Sequence, residues 1–161
     1  MLNLRVLFAA PLLAVLAVLA GCATPFAPVS VADTLARDPQ LSTLNGLVQQ
    51  AGLADMLRGA GPYTLFAPTN EAFKAVPAKT MDELKDPARL KAVLSYHVVP
   101  ARITAAEIKT GNVKTANGAE VGLARAGDFV TVEDAMAQGH EVMASNGVVY
   151  SIDRVLLPPR R

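Results

Sequence analysis

The sequence predicts an α+β domain, and three observations lead there. In the first half, apolar residues recur at three- and four-residue steps, the spacing of helices with one buried face. From Gly111 onward the chain breaks into short β-branched runs separated by turn residues, the pattern of a β-meander. One early strand, Thr64-Leu65-Phe66, is set into the helical half. Pro68 closes it and a helix start at Thr69 follows at once. Helices first and strands second is the order of a segregated α+β fold.

The N-terminus reads as a targeting signal. Arg5 precedes an apolar run from Val6 to Ala20, about fifteen residues. That is short of the roughly twenty a membrane-spanning helix needs, and it suits the hydrophobic region of a signal peptide. The run closes on Leu19-Ala20-Gly21-Cys22, which resembles a bacterial lipobox. In that motif the cysteine is acylated and becomes the new N-terminus. The other reading is a secretory signal followed by an unrelated cysteine. Residues 1–21 are thus expected to be a lipoprotein signal, and residues 22–30, with Pro25 and Pro28, a lipidated cysteine and tether. Residues 31–159 are expected to form one domain. The expected location is membrane-anchored and extracytoplasmic, in a bacterial envelope at the outer membrane, cell surface or periplasm. Cys22 is the only cysteine, which rules out intrachain disulfides and a CxxC redox site.

Charge excludes one class of partner. With Arg5 removed the basic and acidic side chains balance, and no basic stripe interleaves with aromatics. No nucleic-acid partner is expected.

In chain order, the apolar steps predict a helix from Val31, capped by Ser30 or Asp33, and a second after Asp38-Pro39 that Gly52 ends. Leu53 to Leu57 makes another turn. Gly59-Ala60-Gly61-Pro62 lacks the Gly-Lys-Ser/Thr ending of a phosphate loop and precedes a strand, so it reads as a turn. The strand is expected to stop at Pro68, and Thr69 to cap a helix carrying Ala72, Phe73 and Val76. Met81 to Leu84 reads as a short helix. Asp86-Pro87 opens a longer one through Leu90, Val93, Leu94 and His97. Val98-Val99 turns extended, and Thr104 is expected to cap a last helix, Ala105 to Ile108. Strands are then expected at Asn112–Thr115, Ala119–Ala124, Phe129–Val132, His140–Ala144, Val148–Ile152 and Val155–Leu157. Asn117-Gly118 and Asn146-Gly147 read as hairpin turns, the second requiring positive φ.

Three segments together resemble the fasciclin domain family. Thr64-Leu65-Phe66-Ala67-Pro68-Thr69-Asn70-Glu71-Ala72-Phe73 is similar to its first signature and Leu94-Ser95-Tyr96-His97-Val98-Val99 to its central Tyr-His segment. Asn146 to Pro158, with Gly147 and Asp153, is similar to its second signature. The resemblance spans about Val31 to Pro158. It implies a wedge-shaped β-sandwich with an N-terminal helical layer, a role in cell adhesion or matrix interaction, and no shared enzymatic activity. It marks Phe66, Pro68, Thr69, Asn70, Phe73, Tyr96, His97, Asn146, Gly147 and Asp153 as fold-signature positions. In animal members a reported integrin-binding element, Glu-Pro-Asp-Ile-Met, precedes the second signature. Here Gly139-His140-Glu141-Val142-Met143 occupies that place. The leading Glu and the Pro are absent, so the segment carries over as a partner-binding candidate without integrin as its implied partner.

No cofactor or metal is expected. His97 reads either as a ligand, base or pH switch or, more simply, as a core histidine satisfied by neighbours such as Asn70. Whether Tyr96 also serves a partner surface is open. His140 is the only other histidine, too few for a His-rich metal site. Glu133-Asp134 lacks the alternating oxygen ligands of a calcium loop. Ser95 and His97 lie two residues apart on one helix and do not face each other, and no Gly-x-Ser-x-Gly occurs. Asp153 reads as a surface contact, a partner of Arg154 or an acceptor for backbone donors at a strand junction. The leading expectation is a non-enzymatic, lipid-anchored binding module, with a protein or polysaccharide partner and the membrane held through Cys22. The rival is a small-ligand-binding or enzymatic protein with a pocket near His97.

Overall fold

The computed structural model describes residues 28–159. The expected signal, Cys22 and most of the tether lie outside the described residues.

Short helices come first because the caps are where the sequence puts them. The Ser30 side chain accepts from Asp33 N and starts α1 (Val31–Arg37). Asp38 caps a 3-10 turn, Pro39–Leu41, that runs into α2 (Ser42–Gln50). After α3 (Ala54–Arg58) comes β1 (Tyr63–Pro68), then α4 (Asn70–Lys74), where Thr69 Oγ1 accepts from Ala72 N. α5 (Ala78–Glu83) begins three residues earlier than the apolar pattern suggested. Asp86 caps α6 (Pro87–Tyr96) and Pro87 occupies its first turn.

The strands β2 (Val98–Val99), β3 (Gly111–Lys114), β4 (Glu120–Ala126), β5 (Phe129–Val132), β6 (Ala135–Ala144) and β7 (Gly147–Ile152) join β1 in one seven-stranded sheet. Its order is β2-β1-β7-β6-β5-β4-β3. β3 to β7 form an antiparallel meander, whereas β1 pairs parallel with β7, from Tyr63↔Gly147 to Pro68↔Ile152. The strand pairs up to Pro68 and stops there, as expected, and parity explains how the proline itself is accommodated. Phe66 N donates towards the β2 side, to His97 O, so position 68 also points its missing donor there. β2 pairs only with Thr64 and Leu65 and needs nothing from Pro68.

Alternation on β1 and β7 builds two cores. Leu65 and Val149 face the helices, packed with Leu35, Leu44, Leu57, Leu90 and Val93. Phe66, Val148, Tyr150 and Ile152 face the other way, into a cluster with Val121, Leu123, Val130 and Val132 from the outer meander. The sheet therefore curls over its own second core, giving a sandwich with a helical layer on one outer face.

Three expectations fail locally. Ala105 to Ile108 forms a turn and no helix, although Thr104 O does accept from Glu107 N and Ile108 N. Val155 to Leu157 is not a strand: Leu156 is buried, but its N–H is taken by a side chain, and Leu157 is 45% exposed. β6 starts at Ala135, five residues before the expected position, because Glu133 takes φ 56 and reverses the chain without a glycine.

Candidate functional site

The segment from Gly139 to Met143 lies in β6, and the local backbone sets it apart. β6 pairs with β5 only at Thr131↔Met136 and Val132↔Ala135, then follows β7 alone to Ala144. A register shift between Gln138 and Val142, with Gly139 at φ +76, bends the strand away from β5. That bulge needs glycine, since a side chain there would adopt a left-handed conformation it disfavours.

The divergence opens a cleft of about 320 Å³ between β5 and β6. Asp128, Phe129 and Arg125 line it from the meander side; Gly139, Glu141 and Tyr150 line it from the other. Phe129 is 64% exposed, the most exposed large apolar side chain among the described residues. Arg125 is engaged by carbonyls, donating Nε to Gly127 O at 2.8 Å and Nη1 to Ala105 O at 2.5 Å. Neither Asp128 nor Glu141 forms an ion pair within the described residues. At the floor, Tyr150 stacks on Phe66 with centroids 5.6 Å apart and donates its hydroxyl to Ile103 O at 2.9 Å. Burial, then the charges of Glu141 and Glu107, push its phenol pKa up, so it remains a proton donor. The cleft thus offers one exposed aromatic ring, two carboxylates, the Arg125 guanidinium and a strand edge that β5 leaves unpaired.

The five-residue segment is divided between two grooves. Gly139 and Glu141 line the cleft, and His140 contributes its backbone to β6. Val142 and Met143 line a second groove, about 450 Å³, whose other walls include Pro28, Val29, Thr34 and Arg37.

The signature positions cluster elsewhere. Phe66 is fully buried in the sheet core and Phe73 is buried under the helices. His97 is sealed: its Nδ1 lies 2.8 Å from Val93 O and its Nε2 accepts from Leu156 N at 3.0 Å. Asn70, the neighbour expected for it, is occupied elsewhere, bonding Pro39 O, Ser42 Oγ and Thr43 N and so tying α4 to the start of α2. Tyr96 is buried and donates to Glu120 O at 3.0 Å, with Glu133 Oε1 at 3.4 Å. Burial first, then Glu133, raises its pKa. Asp153 Oδ1 accepts from Met136 N at 2.8 Å, while Arg154 pairs with Asp134.

Asn146-Gly147 departs most from expectation. Gly147 does not take positive φ; it is the first residue of β7, and an added Cβ would collide with the Tyr63 carbonyl. Asn146 is a clamp: Nδ2 donates to Leu57 O and Gly59 O, both at 2.7 Å, and Oδ1 accepts from Val31 N at 2.8 Å. Sequence reading missed Arg102, which donates to Ala144 O at 2.8 Å, and the exposed Phe129. The only signal for Phe129 was an aromatic placed directly after the Gly127-Asp128 turn, at a strand's first position.

With this geometry in hand, comparison with known proteins places the chain. Residues 39–158 match the model of the Fasciclin domain. The chain is 40% identical to Protein sll1483 of Synechocystis sp., over 89% of this chain and 81% of that protein. It is 39% identical to Immunogenic protein MPB70 of Mycobacterium bovis, over 82% and 69%, and 37% identical to the Cell surface glycolipoprotein MPB83 of the same organism, over 86% and 65%. The fold is similar to a solved FAS1 domain pair from the insect cell adhesion molecule Fasciclin I, with TM-score 0.65 and 15% identity over 81% of this chain. This chain spans about half of that one, 51%. It belongs to the fasciclin domain family.

Proposed function

We propose that this chain is a lipid-anchored, non-enzymatic adhesion module of a bacterial envelope, which holds a surface protein or polysaccharide in the cleft between β5 and β6. The observation behind this reading is the cleft itself. It exposes Phe129 beside two carboxylates, Asp128 and Glu141, that form no ion pair within the described residues, with the Arg125 guanidinium at the same cleft. An exposed aromatic next to fixed charge is the chemistry of a recognition surface. Family membership supports it, as does the name of a relative described as a cell-surface glycolipoprotein. Acylation of Cys22 supplies the anchor, resting on the Leu19-Ala20-Gly21-Cys22 motif.

The rival, a pocket converging on His97, has little to support it. The ring is 1% exposed and both nitrogens are engaged by backbone atoms, leaving none for substrate.

The test compares attachment of cells carrying the wild-type chain with cells carrying Phe129→Ala and Glu141→Gln together. Attachment should fall several-fold at equal surface abundance. Protease or periodate treatment of the target surface then separates a protein partner from a polysaccharide. Unchanged attachment by the double variant would remove the cleft from the proposal.

A further inference from the structure

We propose that the apolar edge formed by Pro28, Val29, Val142 and Met143, along the part of β6 that β5 does not cover, seats the domain on the lipid surface, holding it in one orientation; this rests on the acylation of Cys22 proposed above. The start of the described chain is pinned to this edge. Val29 O accepts from Ser145 N at 2.8 Å, and Val31 N donates to Asn146 Oδ1 at 2.8 Å, both at the turn between β6 and β7. The tether therefore enters the domain beside Val142 and Met143, which line the same groove as Pro28 and Val29.

Length then limits what the bilayer can meet. The chain from Cys22 to Pro28 reaches at most about 20 Å even when fully extended. A domain of this size has a radius of gyration of about 14 Å, so it is wider than its leash is long. The face around the entry point is the one brought to the membrane.

Its chemistry fits that place. Val142 is 45% exposed and Met143 50%; as successive residues they point to opposite sides of β6 and flank its free edge, where β5 has left. Methionine, flexible and polarizable, adapts to a disordered boundary of acyl chains and headgroups. Arg37 and Asp38 stand at the same groove with opposite charge, so the contact does not select anionic lipid. Two half-exposed side chains are too few to draw a free domain to a bilayer. On a short tether the same contact becomes intramolecular, at an effective concentration in the millimolar range, and weak contact is enough.

The experiment uses the full acylated chain in phosphatidylcholine–phosphatidylethanolamine vesicles. Cys22 is the only native cysteine and acylation consumes it, so Val142→Cys takes a fluorophore cleanly, with Lys79→Cys on α5 as control. Spin-labelled acyl chains should quench the probe at position 142 at least two-fold more than the probe at 79. Without any label, hydrogen exchange of residues 141–145 should slow several-fold on vesicles, independent of salt, and Met143→Asp should abolish the protection while the chain stays acylated and melts as a folded domain. Equal quenching at both positions, or protection that appears only after adding envelope extract, would overturn the seating. The mass of the Cys22 peptide separates the failures. An unmodified peptide defeats the anchor and the seating together, whereas an acylated peptide without protection defeats the seating alone.

Discussion

His97 and Leu156 meet across the domain: the imidazole Nε2 accepts the Leu156 backbone N–H at 3.0 Å. Because Nε2 must accept, the ring proton sits on Nδ1 and is donated to Val93 O at 2.8 Å, one turn back on α6. One neutral side chain thus latches the chain's last buried segment to the end of a helix. Protonation would turn the acceptor into a donor facing a donor.

Acid should loosen this latch. Burial holds the His97 pKa down to about 4, against a weaker opposing pull from the Val93 hydrogen bond. The unfolded chain takes up a proton near its ordinary value of 6.5, which the folded chain refuses. Stability is therefore full above about pH 6.5 and falls as pH drops towards 4, by up to about 3 kcal/mol. The half-buried Asp33 and the exposed Glu107, held low chiefly by hydrogen bonds from Ser30 and Thr104, act in a more acidic window. Urea midpoints measured at pH 7, 5.5 and 4.5 should follow this slope. The slope should flatten in His97→Gln, and a flat wild-type profile would refute the buried neutral histidine.

Two glycine-to-alanine changes should have opposite signs. At Gly147 the new methyl meets the Tyr63 carbonyl inside a paired strand, and stability should fall by about 3 kcal/mol or more. Gly46 lies exposed within α2, where a methyl meets nothing within 4 Å, so alanine should stabilise by about 0.5–1 kcal/mol. Chemical denaturation of both variants checks the pair.

Asn146→Asp should be no milder than Asn146→Ala. Alanine loses three hydrogen bonds, at a cost of about 2–4 kcal/mol. Aspartate keeps the acceptor for Val31 N but turns a carboxylate oxygen towards the Leu57 and Gly59 carbonyls. If the Asn146→Asp variant melted like wild type, the clamp would be wrongly assigned.

Phe66→Ala should cost about 3–5 kcal/mol, since the ring is fully buried and stacked on Tyr150. The loss should also raise the accessibility of Tyr150 to solvent, read by its near-ultraviolet signal.

Cys22→Ser should release the protein from membranes into the soluble extracytoplasmic fraction. Persistent membrane fractionation would remove the acyl anchor.

The parts of this fold that were legible in the sequence are those set by local chemistry. Thr69 and Asp86 announce helix starts because a short oxygen-bearing side chain can reach the next free N–H groups. The Asn146-Gly147 pair shows where such legibility ends. The residues looked like a turn defined by backbone angle, whereas the structure uses one for hydrogen bonds to three remote backbone groups and the other for a close approach of β1. Nothing within a few residues of Gly147 encodes the Tyr63 carbonyl. The Val155–Leu157 run misled for the same reason: of its three apolar residues only Leu156 is buried, and its N–H goes to a histidine and not to a neighbouring strand. The cleft was invisible because it arises from β5 and β6 parting, a property of register; only the Gly139 to Met143 stretch was anticipated, and as a single patch.

The parallel pairing of β1 with β7 has a consequence for how the molecule is made. The strand β1 emerges early in synthesis, but its long partner β7 is among the last segments to appear. Until Ile152 has been added, β1 has only the two residues of β2 to pair with and both cores stand open on one side. Such distant pairing must overcome the entropy of closing a long loop before any contact rewards it. Neither core can close until β7 has been made, so the last quarter of the domain decides when the first quarter becomes buried.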